Sequence, residues 1–227
     1  VEAPGASVAT AGVGADLAAG AGAAAVFGGV AGPWPEVVLV AVAAGVASAP
    51  GVSSGVATVT PLTLGGKAAD PTVIRKAGTV VRTVFKTTSP PILVRATGSF
   101  VAGLGATQTV RSYTGPRRGF AQAPCTGPVT DAWILGGGSA VGHTTDVILA
   151  NDDDRAATVD LLPYGAQGLI DAPAGQGVVV PPASRVTVRI DTLAPGQPIV
   201  GVHLVTSVGR VAVVGDRKST RLNSSHI

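Results

Sequence analysis

The sequence is poor in the residues on which many folds and sites depend, with no methionine, one cysteine, 4% aromatic residues and 13% charged residues. The lone Cys125 cannot form a disulfide within this chain, so a disulfide scaffold is excluded, and any partner cysteine lies outside these residues. Because no methionine begins the chain, we expect Val1 to be a cut end rather than a natural start.

The scarcity of charge argues against a nucleic-acid partner. The formal net charge is +3, but residues 216–227 contribute three basic residues and one acidic residue, and thirteen basic residues against twelve acidic ones remain without them. A balance of +1 provides no basic surface for a phosphate backbone. Cys125, His143 and His203 also lack the spacing of a zinc site. We therefore expect no nucleic acid, no metal and no cofactor.

Small and β-branched residues are abundant instead. Hydrophobic residues make up 46% of the chain, and 32 glycines and 17 prolines exceed a fifth of it. Valine-rich runs interrupted by Gly and Pro favour strands and turns over helices. We expect a core of Val, Ala, Ile and Leu.

Residues 1–53 form an Ala/Gly-rich segment whose only charges are Glu2, Asp16 and Glu36. The apolar run 37–49 is shorter than the roughly 20 residues of a membrane helix. Residues 47–49 (ASA) fit a signal-peptide cleavage site, but the basic region that should precede one is missing. We expect a truncated or poorly ordered part of an upstream β domain, with a signal or membrane anchor as the alternative.

Short strand patterns separated by turn residues follow, over 54–122 and again over 123–215. In residues 184–191 (SRVTVRID), Val186, Val188 and Ile190 alternate with polar residues, which is typical of a half-exposed antiparallel strand. Seven such runs with regular turns predict an all-β, immunoglobulin-like antiparallel β-sandwich over 123–215. A partial second β domain over 54–122 precedes it. Because the native pattern stops after residues 210–215 (RVAVVG), we expect a final strand to be missing.

The tail, residues 216–227 (DRKSTRLNSSHI), has no apolar period. Its first eleven residues resemble one translated frame of a common short-read sequencing adaptor. We therefore interpret 216–227 as a non-native tail and leave it out of the fold prediction.

Two stretches invite a chemical interpretation that their residues do not support. The Gly-rich residues 135–142 (LGGGSAVG) lack the Lys of a phosphate loop and the final Gly of a nucleophile elbow around Ser139. We expect an inter-strand loop there. The acidic residues 151–155 (NDDDR) lack the alternate spacing of a calcium loop, and we expect a β-turn in which Asx side chains bind their own backbone, with weak cation binding as the alternative. A hydrolase using Ser139 or Cys125 with His143 is the weakest alternative.

Four residues are candidates for an interaction surface because they are aromatic or basic in turn-rich surroundings: Trp133, Tyr164, Arg117 and Arg118. A single Arg-Arg-Gly-Phe cluster is too little for nucleic acid. An exposed platform containing Trp133 or Tyr164 would favour carbohydrate binding, whereas a buried Trp133 would favour a scaffold.

Residues 90–215 contain a Trp and a Gly-rich loop, followed by LANDD, ATV, YGAQG, VPPAS and LAPG. In this pattern they resemble a family of uncharacterised actinobacterial envelope proteins. These proteins have a domain of unknown function and an N-terminal membrane segment, and their genes often lie beside a family 2 glycosyltransferase. The resemblance implies an exported or membrane-anchored protein of the cell envelope, and it transfers no catalytic residues.

These observations predict a non-catalytic interaction or scaffold module outside the cytoplasm, at the actinobacterial cell envelope. Its partner would be an envelope protein or polysaccharide, and it would touch a membrane only through an upstream anchor. The alternative function is a carbohydrate-binding module for envelope polysaccharide.

Overall fold

The structure is a computed structural model that describes residues 23–27, 36–43, 55–61, 70–76, 79–86, 92–100, 104–112, 119–125 and 127–219. Its regular elements are sixteen strands, one 3-10 turn and one short helix α1. In chain order they are β1 (Ala23–Phe27), β2 (Glu36–Ala43), β3 (Gly55–Pro61), β4 (Thr72–Ile74), β5 (Thr79–Lys86), β6 (Ile92–Gly98), β7 (Leu104–Ser112), β8 (Gly119–Pro124), β9 (Asp131–Gly137), β10 (His143–Asn151), β11 (Ala157–Gly165), β12 (Gly168–Leu169), the 3-10 turn (Pro173–Gly175), β13 (Val178–Val180), β14 (Ser184–Arg189), α1 (Ile190–Leu193), β15 (Val200–Val208) and β16 (Ala212–Ser219).

The strands form two sandwiches, and their pairing is antiparallel throughout the named ladders. The first sandwich consists of the sheets β1-β6-β3-β4 and β5-β2-β7-β8. The second consists of the sheets β14-β10-β16 and β12-β11-β15-β9, with β13 also paired to β11. The predicted all-β architecture is confirmed.

Alternating side chains build the core of the second sandwich, as the sequence pattern predicts. In β14, Val186 and Val188 pack against the buried cluster, while Thr187 and Arg189 are exposed. The central strand β10 is instead apolar on both faces, because one face lies on this core and the other meets the first sandwich.

The immunoglobulin-like strand order is not confirmed. In that fold the first strand pairs with the second in one sheet, and the last strand pairs with the sixth in the other. Here β10 pairs with β14, and β11 with β15, as the corresponding inner strands do. The outer strands are exchanged, since β9 pairs with β15 and β16 pairs with β10. Both end connections therefore cross between the sheets.

The strands extend beyond three of the boundaries expected from the sequence. Within residues 1–53, β1 and β2 pair with strands of the same sheets that contain residues 54–122. At the other end of the first sandwich, β8 continues to Pro124. The last strand, β16, includes residues 216–219 opposite β10. The non-native origin of residues 216–227 stays a prediction, because strand pairing does not test where a sequence comes from. Residues 220–227 lie outside the described residues.

The two sandwiches contact each other through a small apolar cluster and an ion pair. Leu93 of β6 packs with Ala150 of β10 and Ala212 of β16. Beside them, Nη2 of Arg95 lies 3.5 Å from Oδ2 of Asp152 and donates a hydrogen bond to the Asp152 carbonyl oxygen at 3.2 Å. The outer face of the β14-β10-β16 sheet is therefore covered around β10 and β16.

Among the described residues, the only α-helix is the four-residue α1, and no helix is long and apolar enough to span a membrane.

Candidate ligand-binding face

The strands β9, β15 and β11 lie side by side, and their alternation decides which side chains point outward. Val200, Val202 and Leu204 of β15 are buried in the core, so the residues between them face away from it. The register places each outward residue of β15 between residues of the neighbouring strands: His203 between Trp133 and Leu162, and Val205 between Asp131 and Asp160.

Trp133 contacts two other rings on this outward face. The Trp133 and His203 rings are stacked, with their centroids 4.4 Å apart and their planes within 4°. The Tyr164 ring lies 5.1 Å from that of Trp133 at a tilt of 47°. Trp133 nevertheless remains 47% exposed. We call Trp133, His203 and Tyr164 the aromatic cluster. Cross-strand aromatic pairs of this kind contribute about 0.5–1.5 kcal/mol each to stability.

A carboxylate fixes the orientation of the His203 ring. Nε2 of His203 lies 3.0 Å from Oδ2 of Asp131. Because an ionised carboxylate only accepts hydrogen bonds, Nε2 carries the hydrogen that this bond requires. The bond orients the imidazole plane against which the Trp133 ring stacks.

A glycine and a β-bulge shape the neighbouring surface. Gly201 lies opposite Tyr164, and the β9–β15 register shifts between Val200 and Val202, where Gly136 of β9 has φ +80°. Such a bulge bends the strand and redirects its side chains. A Cβ atom on Gly201 would lie 3.5 Å from Cδ2 of Leu135, which places Gly201 beside Leu135 at the border of the aromatic cluster.

Apolar side chains extend the surface around the aromatic cluster. Leu135 is 63% exposed, Leu169 opposite Tyr164 is 59% exposed, and Leu162 is partly exposed. Exposed apolar patches on a protein surface often mark interaction sites. The arrangement can stack against a flat, partly apolar ligand, and it contains no nucleophile paired with a base.

The structure brings two of the four predicted interaction residues together, Trp133 and Tyr164. Arg117 and Arg118 lie outside the described residues. Sequence reasoning missed His203 and Asp131 as members of this surface. The alternation in residues 200–208 (VGVHLVTSV) places His203 on the outward face, but only the register shows that it meets Trp133.

The Gly-rich loop between β9 and β10 is held by hydrogen bonds. The buried Thr145 hydroxyl donates to the carbonyl oxygen of Gly138 and accepts from its N–H, both at 2.9 Å. Ser139 Oγ donates to the Ala194 carbonyl oxygen and accepts from the Gln197 N–H at 3.0 Å. Residues 138–142 form the expected inter-strand loop, whereas residues 135–137 belong to β9, and the Ser139 hydroxyl is occupied by backbone groups.

The remaining residues of the hydrolase alternative lie in different sandwiches. Cys125 packs against the core of the first sandwich, whereas His143 begins β10 in the second. Among the described residues, no group of three or more His, Cys, Asp or Glu side chains is placed to hold a metal ion.

The acidic segment 151–155 leaves β10 through a bend at residues 153–155, and Asn151 makes the predicted contact of an Asx side chain with the backbone. The buried Asn151 accepts the Asp153 N–H at Oδ1 over 2.9 Å, and its amide donates to the carbonyl oxygens of Arg155 and Val180. Asp153 is paired with the Arg210 guanidinium at 3.3 Å. Burial, and next the charge of Asp153, raise the pKa of Asp152, although the Arg210 and Arg95 guanidinium groups act in the opposite direction.

Comparison with known proteins identifies the chain at the level of its family. Neither a curated protein nor a solved structure matches it. The model of a family of unknown function, DUF5719, matches residues 80–225, which include all of β5 but its first residue, β6 to β16 and with them the whole second sandwich and the aromatic cluster. The chain therefore belongs to this family of unknown function.

Proposed function

We propose that this protein is a non-catalytic binding module and that its second sandwich binds carbohydrate through the aromatic cluster. The observation that carries the proposal is the 47% exposure of Trp133 within a group of contacting rings on an outward sheet face. A tryptophan required only for the core would be buried. Rings held open on a sheet offer apolar surface to the C–H faces of sugar rings, with polar groups beside them for the hydroxyls.

The position of the module at the cell envelope is part of the same proposal. It is supported by the resemblance of residues 90–215 to exported envelope proteins, and an envelope polysaccharide is the ligand that this position would supply. Fractionation of cells that express the full-length gene is expected to place the protein in the envelope fraction. Recovery in the cytoplasmic fraction would contradict the proposed location, but it would not test the proposed carbohydrate binding.

The binding test uses the full chain and a panel of neutral polysaccharides, namely dextran, hydroxyethyl cellulose, mannan and galactan, in affinity gel electrophoresis. At least one of them is expected to retard the protein, and Trp133→Ala is expected to weaken that binding about 30-fold, as loss of a central aromatic contact does. Val73→Ala is the matched control, because Val73 is similarly exposed at 43% but lies in the first sandwich.

Two results would contradict the proposal. One is that no panel member retards the protein, and the other is that Trp133→Ala binds as the wild type does. Since the variant also loses a stacked pair worth about 1 kcal/mol of stability, its far-ultraviolet spectrum and melting curve must first show that it is folded. Tyr164→Phe, which keeps the ring but removes the hydroxyl, separates stacking from hydrogen bonding.

A further inference from the structure

We infer that the ligand of the aromatic cluster is an uncharged, hydroxyl-rich glycan, and that Asp131 and Asp160 both accept its hydroxyl groups and repel anionic polymers. This inference rests on the proposed function and adds the class of glycan. It goes beyond the exposure of Trp133, since aromatic rings alone would accept neutral and anionic sugars alike.

The first argument is the charge of the face. The segments that form β9, β15 and β11 contain no Lys or Arg, and their charged residues are Asp131 and Asp160. The Asp131 side chain is 63% exposed, and Asp160 is partly exposed. A polymer carrying sulfate, phosphate or carboxylate groups would meet two negative charges and no compensating cation within these three strands.

The second argument is the hydrogen-bonding capacity that remains. Asp131 uses Oδ2 for His203, and Asp160 uses Oδ1 to accept the Gly177 N–H at 2.7 Å. A carboxylate offers about four acceptor sites, so each of these side chains retains capacity for further donors. Sugar hydroxyls are such donors, whereas the charged groups of an anionic polymer are acceptors and cannot bind there.

The third argument is the position of the two carboxylates relative to the rings. Both flank Val205, and their strands are separated by one strand, which puts their backbones about 10 Å apart. The row that contains them lies two residues along the strands from the row that contains Trp133, or about 7 Å. A glycan stacked on Trp133 thus has carboxylates along one side, where its ring hydroxyls project.

The contacts among the rings argue against a cation as the ligand. A cage for a quaternary ammonium or a lysine needs several ring faces around one cavity. Here Trp133 stacks on His203 at a centroid distance of 4.4 Å, which leaves no room for a cation between these two ring faces, and the Tyr164 ring contacts Trp133 as well.

The test pairs each neutral polysaccharide of the panel with its sulfated derivative in the same affinity gels. We expect retardation by a neutral member and none by its sulfated form. Asp131→Asn and Asp160→Asn are each expected to weaken neutral binding about fivefold, the difference between a charged and a neutral acceptor. Asp70→Asn, an exposed aspartate outside the second sandwich, is the control and should bind as the wild type does.

The outcomes separate this inference from the proposed function. If the protein binds a neutral glycan through Trp133 and binds its sulfated form equally well, only the inference is wrong. The same holds if both Asn variants keep wild-type affinity, or if a lysine-rich peptide displaces the glycan. If no neutral glycan of the panel binds, both the proposed function and the inference fail. Neutral binding that changes little between about 0.01 M and 1 M salt supports the inference, because screening removes only charge interactions.

Discussion

Replacing Thr145 by Val should destabilise the second sandwich far more than the near-identical shape of the two side chains suggests. The Thr145 hydroxyl forms two hydrogen bonds with Gly138, one as donor and one as acceptor, and Thr145 is only 2% exposed. Valine replaces the hydroxyl with a methyl group, which leaves the buried N–H and carbonyl oxygen of Gly138 without this partner. An unsatisfied buried backbone group costs about 1–3 kcal/mol, so the two together cost about 2–6 kcal/mol.

That loss is large against the 5–15 kcal/mol that typically stabilises a domain. Urea unfolding followed by circular dichroism gives the free energy of unfolding, and the Tm is expected to fall by about 10 °C or more. Hydrogen exchange measured by mass spectrometry shows where the loss occurs. Peptides from β9 and β10 should exchange faster, whereas peptides from β3 and β6 in the first sandwich serve as the internal control.

Two further variants control for the change of side chain. Thr145→Ser keeps the hydroxyl and removes one methyl group, so it should lose only about 1 kcal/mol. Thr187→Val makes the same substitution at an exposed position of β14 and should stay within about 0.5 kcal/mol of the wild type. The reasoning is refuted if Thr145→Val is as stable as Thr187→Val, or if Thr145→Ser is as unstable as Thr145→Val.

Three other predictions follow from single contacts. Gly138→Ala should cost about 1–3 kcal/mol in urea unfolding, because its Cβ would lie 2.7 Å from the Pro198 carbonyl oxygen, while Gly201→Ala, with only ordinary contacts, should be tolerated. Asp152→Asn should make the protein more stable near neutral pH and should have little effect at pH 3. Burial raises the pKa of Asp152 in the folded protein above its ordinary value of 3.8. The wild type therefore loses stability as the pH rises from the pKa of the unfolded state to that of the folded state. Urea unfolding midpoints measured at several pH values will show whether the variant lacks this loss. Leu93→Ala removes the largest side chain of the contact between the sandwiches, and we expect faster proteolysis between them at an unchanged far-ultraviolet spectrum.

The alternation of apolar and polar residues made the strands of the second sandwich predictable. The order in which these strands pair could not be predicted from it. In β14 the inward valines were recognisable because polar residues separate them. β10 offers no such alternation, because both of its faces are covered. One face lies on the core of the second sandwich, and no local pattern shows that the first sandwich covers the other face. The exchange of β9 and β16 between sheets was likewise unpredictable, since strand order depends on pairings far apart in sequence.

The candidate site was predictable only as separate residues. Trp133 and Tyr164 stood out because aromatic residues are scarce, but they lie 31 residues apart in the chain and meet because their strands both pair with β15. His203 looked like an interruption of an apolar strand. Its role as a stacking partner follows from a pairing across 70 residues, which a one-residue change of register would abolish.

The bulge at Gly136 also affects how copies of this protein can approach one another. β9 is the last strand of its sheet, and a regular edge can recruit a strand from a second molecule. Regular pairing in β9 ends at Ile134, and the charged Asp131 stands at its other end, so the segment open to an incoming strand is too short to template one. Pairing of two copies through β9, the outer strand that carries Trp133, is therefore disfavoured, whereas β14 and β16 are the outer strands of the other sheet.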